Sequence, residues 1–296
     1  MSKNGIDLST YQRNVNYLSL KASGIDFAII RSGFGKNSSQ KDNLFEEHYA
    51  GLHYVGIPIG VYHYSYLTSE ENAVLEARNC LDFIKNKEIS LPVFLDVEEN
   101  RSARLGKEKL TNAIILFCEE IEKHGLKAGV YASLNYFNNF IDVQKIIDKG
   151  YKIWLAQYYK EPTASFKIDF WQWTSKGNVH GIEGNVDLDI CFSDEYNSQP
   201  VENPVENSKE LYKIGKTYVT TVDLNVRTGP GINYRIKNYK ELTFNGKLHA
   251  YKQLHAVLKK GTKVTVQEII KDESDIWLKI PSGYIAGFYN GKIYVE

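Results

Sequence analysis

Two hydrophobic periods alternate along residues 5–190, and no other feature restricts the fold as much. Runs of β-type residues stand at GIDLS (5–9), FAIIRSG (27–33), IGVYHYSY (59–66), PVFLDVE (92–98), KAGVYAS (127–133), IWLAQY (153–158), FWQWT (170–174) and VDLDI (186–190). Helical patterns fit between the first six. They are clearest at 43–55, at 69–85 behind the capping box Thr68-x-x-Glu71, and at 107–124, which stops at Gly125. After Tyr158 the gaps are too short for full helices. Eight strands, the first five each followed by a helix, predict an α/β fold: an irregular, TIM-like β/α barrel whose last three strands lack helical cover.

In such barrels chemistry gathers at the C-terminal ends of the strands. Here those ends carry Asp7, Arg31, Tyr62 to Tyr64, Asp96 with Glu98, Tyr131, Gln157 with Tyr158, Trp171 to Trp173, and Asp187 with Asp189. The fourth end, PVFLDVEEN (92–100), is the most telling. Side chains two apart on a strand share a face, which puts Asp96 and Glu98 on the face of Phe94. Desolvating an unpaired carboxylate is costly, so the run either reaches solvent there or lines a polar pocket. Acids on several strand ends with aromatics on the others predict an acidic mouth with flat apolar walls.

Paired carboxylates among aromatics suit glycoside hydrolysis. One acid protonates the leaving oxygen, a second carboxylate stabilises the oxocarbenium-like centre, and ring faces stack on sugars. Clustered acids also suit a hard divalent cation, but no H-x-x-x-H or similar spacing accompanies them, so nothing in the spacing calls for a metal or cofactor. His63, in a tyrosine-rich strand, reads as a hydrogen-bonded core or wall residue. There is no G-x-S-x-G elbow, Walker loop or G-x-G-x-x-G after a strand. From the residues alone a glycosidase, a metal hydrolase and a non-catalytic sugar binder all remain open.

A zero net charge hides an asymmetry. Residues 1–210 hold 22 Lys and Arg against 29 Asp and Glu, a balance of −7; residues 211–296 hold 14 against 7, a balance of +7. The halves are therefore expected to meet different partners. Between them NSQPVENPVENSKE (197–210) reads as an extended, semi-stiff linker, giving domains at 1–196 and 211–296. The second is small and all-β, with short strands in YVTTVDLNVR, VTVQEII, WLKIP, GYIAG and KIYV, and Trp277 is expected in its core. Cys80, Cys118 and Cys191 have neither disulfide nor zinc spacing and read as small core residues. No run approaches the roughly 18 apolar residues of a membrane span. MSKNGIDLS lacks a secretory signal, so synthesis in the cytoplasm with assisted release is expected.

At this point GIDLSTYQ, FAIIRSGFG, GIPIGVYHYSY, LPVFLDVEEN, GLKAGVYAS, WLAQY, FWQWTSKG and GNVDLDI resemble the ordered motifs of the glycoside hydrolase family 25 lysozymes, over about residues 4–192. The resemblance implies a flattened barrel of eight strands and five helices. It also implies cleavage of the β-1,4 bond between N-acetylmuramic acid and N-acetylglucosamine in peptidoglycan. Carried over by position, Glu98 would be the general acid/base and Asp96 would stabilise the transition state, orienting the substrate's 2-acetamido group as it assists. Asp7 and Asp187 would complete the cluster and tune Glu98. Tyr62, Tyr131 and Trp171 would shape the sugar subsite, with Arg31 and Gln172 as lesser members. Asp189 stands where the family pattern suggests Asn. In the C-terminal half, LNVRTGPGINY, LKKGTKVTV, WLKI and GYIAGFYNGKIYV resemble bacterial SH3-like wall-binding domains, with RIKNYKELTFNGKLHAYKQLHA inserted. The whole suggests a phage endolysin that acts on peptidoglycan and other wall polymers. It would bind no nucleic acid, insert into no membrane, and depend on a membrane-permeabilising partner to leave the host cytoplasm for the wall. A host autolysin and an inactive wall-binding protein are the alternatives.

Overall fold

The computed structural model describes residues 2–196, 211–272, 275–289 and 292–296, and the chain divides into two compact units. The expected linker at 197–210 lies outside the described residues. The first unit is a barrel closed in sequence order. Its strands are β1 (Lys3–Leu8), β2 (Phe27–Phe34), β3 (Ile59–Tyr64), β4 (Val93–Asp96), β5 (Ala128–Ser133), β6 (Lys152–Ala156), β7 (Phe170–Gly177) and β8 (Val186–Cys191). Strands β1 to β7 run parallel, and β8 is antiparallel to both of its neighbours. The reversal follows from chain length. The segment between β7 and β8 is too short for the crossover that a parallel pair requires.

The first five connections are helical, as the pattern predicts, but they hold seven α-helical segments among the described residues rather than five. These are α1 (Tyr17–Ala22), α2 (Phe45–Tyr54), α3 (Glu70–Phe83), α4 (Asn100–Ala103), α5 (Lys107–Glu122), α6 (Leu134–Asn139) and α7 (Val143–Asp148). Gly106, at φ +80°, divides α4 from α5, and Asp142 starts α7 afresh by accepting the Lys145 N–H. The cap of α3 is also displaced from expectation. Ser69, not Thr68, is extended and accepts the Asn72 N–H, while Thr68 accepts the Asn72 side-chain amide.

Aromatic rings fill the barrel. Phe94 meets Phe170 and Trp154 at centroid distances of 5.3 and 5.2 Å, and Tyr131 meets Trp154 at 4.5 Å. Gly5 makes room for this: a Cβ there would lie 2.2 Å from the Phe27 ring. All three cysteines are buried. His63 is buried too, bonded through Nε2 to Gly35 O (2.7 Å) and through Nδ1 to Ser32 Oγ (3.1 Å), and burial lowers its pKa to about 4.

The second unit is antiparallel throughout. Its elements are β9 (Thr217–Val219), β10 (Leu224–Asn225), α8 (Phe244–Leu248), β11 (Val257–Leu258), β12 (Lys263–Thr265), β13 (Glu268–Asp272), β14 (Asp275–Ile280), β15 (Gly283–Tyr289) and β16 (Lys292–Ile293). Strands β13 to β16 form one sheet, while β9 pairs with β12 and β10 with β11. The run expected at 218–227 is thus broken into two strands in different sheets. Trp277 is buried, edge-on to Tyr289. The inserted segment carries α8 and ends where β11 begins.

Candidate active site

The carboxylates meet above the aromatic floor because strand register places them there. Asp7 pairs directly with Asp187 across β1 and β8, Asp96 sits between Tyr64 on β3 and Tyr131 on β5, and Asp189 lies beside Gln172 on β7. Strand β4 ends at Asp96, two residues short of Glu98. The Val97 N–H still donates to Tyr131 O (2.9 Å), so the alternation continues and Glu98 follows Asp96 on its face. Asp7, Asp96 and Asp189 are buried; Asp187 is half-buried, and Glu98 is exposed at the rim.

Gln172 ties the acids together. Its Nε2 donates to Asp7 Oδ2 (2.8 Å) and Asp187 Oδ2 (3.3 Å), while its Oε1 accepts from Tyr131 (2.9 Å) and Tyr158 (3.0 Å). An amide suits this position because it presents donors to one pair of partners and an acceptor to the other. Trp154 Nε1 donates to Asp189 Oδ1 (2.8 Å), and Asp189 also shares a side-chain hydrogen bond with Asp7. Asp96 in the same way shares a side-chain hydrogen bond with Glu98, and its Oδ1 is buried.

Burial raises the pKa of every carboxyl in this group, and like charge adds to it. At Asp7 the neighbour that adds most is Asp187; at Asp96 it is Glu98; at Asp189 it is Asp7. Asp187 is raised by burial and by Glu98. Glu98 rises through partial desolvation and the nearby Glu99, against the lowering effect of its bond with Asp96. Neither Asp7 nor Asp187 leads at Glu98, so crowding acts more on the buried acids than on the rim glutamate.

A cleft of ≈ 330 Å³ opens beside Glu98, lined by Tyr131, Ser133, Tyr136, Ala156 and Tyr158. Tyr136 donates to Glu98 O (2.8 Å), which steadies the backbone there. Tyr62 packs edge-on to Trp154 at 6.0 Å and lies within electrostatic reach of Asp7 and Asp96. Two residues expected near the sugar have close partners of their own. Trp171 alternates to the face opposite Gln172, stacks on Phe192 and donates to Gln157 O (2.8 Å). Arg31 is bound to Asp42 (2.7 Å), within electrostatic reach of Tyr62 and Asp96. Conversely, Trp154, Tyr136 and Tyr158 belong to the site without having been singled out for it. Only Tyr158 carried a signal, its place at the end of the expected sixth strand, IWLAQY. Among the described residues no group of three or more His, Cys, Asp or Glu side chains is arranged to hold a metal ion.

Known proteins share this architecture. The chain is 24% identical over 186 residues to an autolytic lysozyme of Clostridium acetobutylicum, a match covering 62% of this chain and 54% of that enzyme. The structure of the CTP1L endolysin superposes with a TM-score of 0.58 at 26% identity, over 66% of this chain and 68% of that one. The catalytic domain of endolysin ply40, from bacteriophage P40 of Listeria monocytogenes, gives 0.55 at 31% identity over 67% of this chain and 96% of the domain. The sequence pattern of glycosyl hydrolases family 25 matches residues 6–182, most of the barrel, and the chain belongs to that family.

Proposed function

We propose that the chain is an endolysin-type lysozyme that hydrolyses the β-1,4 bond between N-acetylmuramic acid and N-acetylglucosamine in bacterial peptidoglycan. The observation that carries this reading is the pairing of an exposed Glu98 with a buried, hydrogen-bonded Asp96 at the edge of a tyrosine-lined cleft. Both members have raised pKa values, so the pair retains a proton where isolated carboxyls have lost theirs. Glu98 is the member that reaches the cleft. It would pass that proton to the glycosidic oxygen, and Asp96 would support the charge that develops at the sugar. Asp7 and Asp187, bridged by Gln172, would hold the other side of the ring, with Tyr62 and Tyr131 beneath it. The family match and the likeness to an autolytic lysozyme and two endolysins support this reading.

The second unit, small, antiparallel and basic, would act as an SH3-like module that holds the enzyme on the wall. The protein would then wait in the host cytoplasm until a membrane-permeabilising partner releases it.

The test is Glu98→Gln, which keeps the side chain's shape without a transferable proton. Wall hydrolysis should fall by about 10²–10⁴-fold while wall binding persists. Mass spectrometry of wild-type digests should show new reducing muramic acid ends. New amino termini would indicate a peptidase or amidase, and binding without lysis an inactive wall binder. Near-normal turnover in the variant would remove Glu98 from its role.

A further inference from the structure

An exposed tyrosine at the barrel mouth is held more firmly than its exposure explains. Tyr11, three residues beyond β1, is 79% exposed. Its backbone is fixed in a tight turn: Gln12 N donates to Ser9 O (3.0 Å), and Ser9 N donates to Gln12 Oε1 (3.0 Å). The preceding Thr10 N–H donates to Asp42 Oδ2 (3.1 Å). The Arg31 guanidinium lies over the Tyr11 ring, 5.4 Å from its centroid. Arg31 is itself locked to Asp42 Oδ2 through Nε (2.7 Å), and the side chains of Arg31 and Asp42 are 14% and 0% exposed. Asp42 Oδ1 accepts the Leu44 N–H (2.9 Å). The buried ion pair, held further by the backbone N–H groups of Thr10 and Leu44, backs a ring that faces water.

Tyr11 also stands in a telling place. Arg31 interacts with Tyr62, and Tyr62 with Ser9, Asp7 and Asp96, so the platform adjoins the acids on the β1–β3 side. The cleft beside Glu98 is built from residues at the ends of β4, β5 and β6. The acids lie between the two.

We propose that Tyr11 is a saccharide-stacking subsite that takes a sugar ring of a longer glycan strand, beyond the two rings that flank the cleaved bond. This rests on the glycosidase reading above. A flat, exposed ring on a fixed backbone, backed by a guanidinium, can stack on a pyranose at modest cost in its own freedom, and its hydroxyl can reach a sugar hydroxyl. Arg31 is then a positioning residue for Tyr11 rather than a sugar ligand.

The experiment compares Tyr11→Ala and Tyr11→Phe with the wild-type full chain. The substrates are long peptide-free glycan strands, the same strands with their stem peptides, and fragments of two disaccharides. Tyr11→Ala should raise KM on both long substrates roughly threefold to tenfold at unchanged kcat, and leave the short fragments unaffected. Tyr11→Phe should keep most of the affinity. An equal defect on long and short substrates, or Tyr11→Phe as weak as Tyr11→Ala, would overturn the proposal. So would a defect confined to peptide-bearing strands, which would make Tyr11 a peptide contact. Should the wild type release no reducing ends, the glycosidase reading fails by itself. The subsite is still decided by strand binding to Glu98→Gln with and without Tyr11→Ala: a threefold to tenfold loss sustains it, and no loss ends it.

Discussion

Asp189 shows how the site stores free energy in protons. Its carboxyl is buried on β8, accepts from Trp154 and interacts with Asp7 and Asp187, and its pKa stands well above the usual carboxylate range, chiefly through burial. The folded chain therefore keeps this proton at pH values where the unfolded chain has released it. Stability must then fall as pH rises through the ordinary carboxylate range and beyond, because the native state binds more protons than the unfolded one. Asn at this position keeps an oxygen for Trp154 and carries no charge. Asp189→Asn should gain about 0.5–2 kcal/mol at neutral pH and little near pH 4, measured as the difference between urea titrations at the two pH values. An equal gain at both would mean that charge is not the cause. The residue scale is also where the sequence is least legible. FWQWT does not disclose which parity faces the barrel, and that one-residue choice sends Gln172 to the acids and Trp171 to Phe192. Trp154 and Tyr136 matter through contacts with residues far along the chain, which no local pattern encodes.

The elements themselves were legible, because a strand–helix alternation is a local property that survives into the barrel with boundaries moved by a few residues. Strands β1 to β8 and helices α2, α3 and α5 occupy the stretches that periodicity marks. Counting by connection did not foresee the breaks at Gly106 and Asp142, where a left-handed glycine and a fresh cap interrupt an otherwise helical stretch. The α3 cap illustrates the limit. The sequence marks Thr68 with Glu71, and the structure chooses Ser69, whose oxygen meets the Asn72 N–H at 3.3 Å. Ser69→Ala should therefore cost about 1 kcal/mol in urea unfolding, and Thr68→Ala only a few tenths. The reverse order would restore the frame that the sequence first suggests.

At the scale of the whole molecule, the −7 of residues 1–210 and the +7 of residues 211–296 would bear, under the proposed function, on how the enzyme meets a wall rich in anionic polymer. Such a surface attracts the second half and repels the first. A barrel cut within residues 197–210 keeps its acids and its cleft, so it should still hydrolyse soluble peptidoglycan fragments. On intact cells it should be much slower, because in the proposed function the second unit supplies local concentration. Charge alone is a weak tether, because attraction between exposed charges is screened over roughly 8 Å at physiological ionic strength. A purely electrostatic module would leave the cell as salt rises, whereas a groove that recognises a particular wall structure would hold, with charge mainly speeding encounter. We expect the second behaviour. The measurement is a sodium chloride titration of labelled residues 211–296 on whole cells, beside the labelled full-length Glu98→Gln chain. Retention of both at moderate salt supports specific recognition. Complete release at modest salt from every species tried would reduce the second unit to a basic anchor, and the barrel would then have to find its own cleavage sites on the wall.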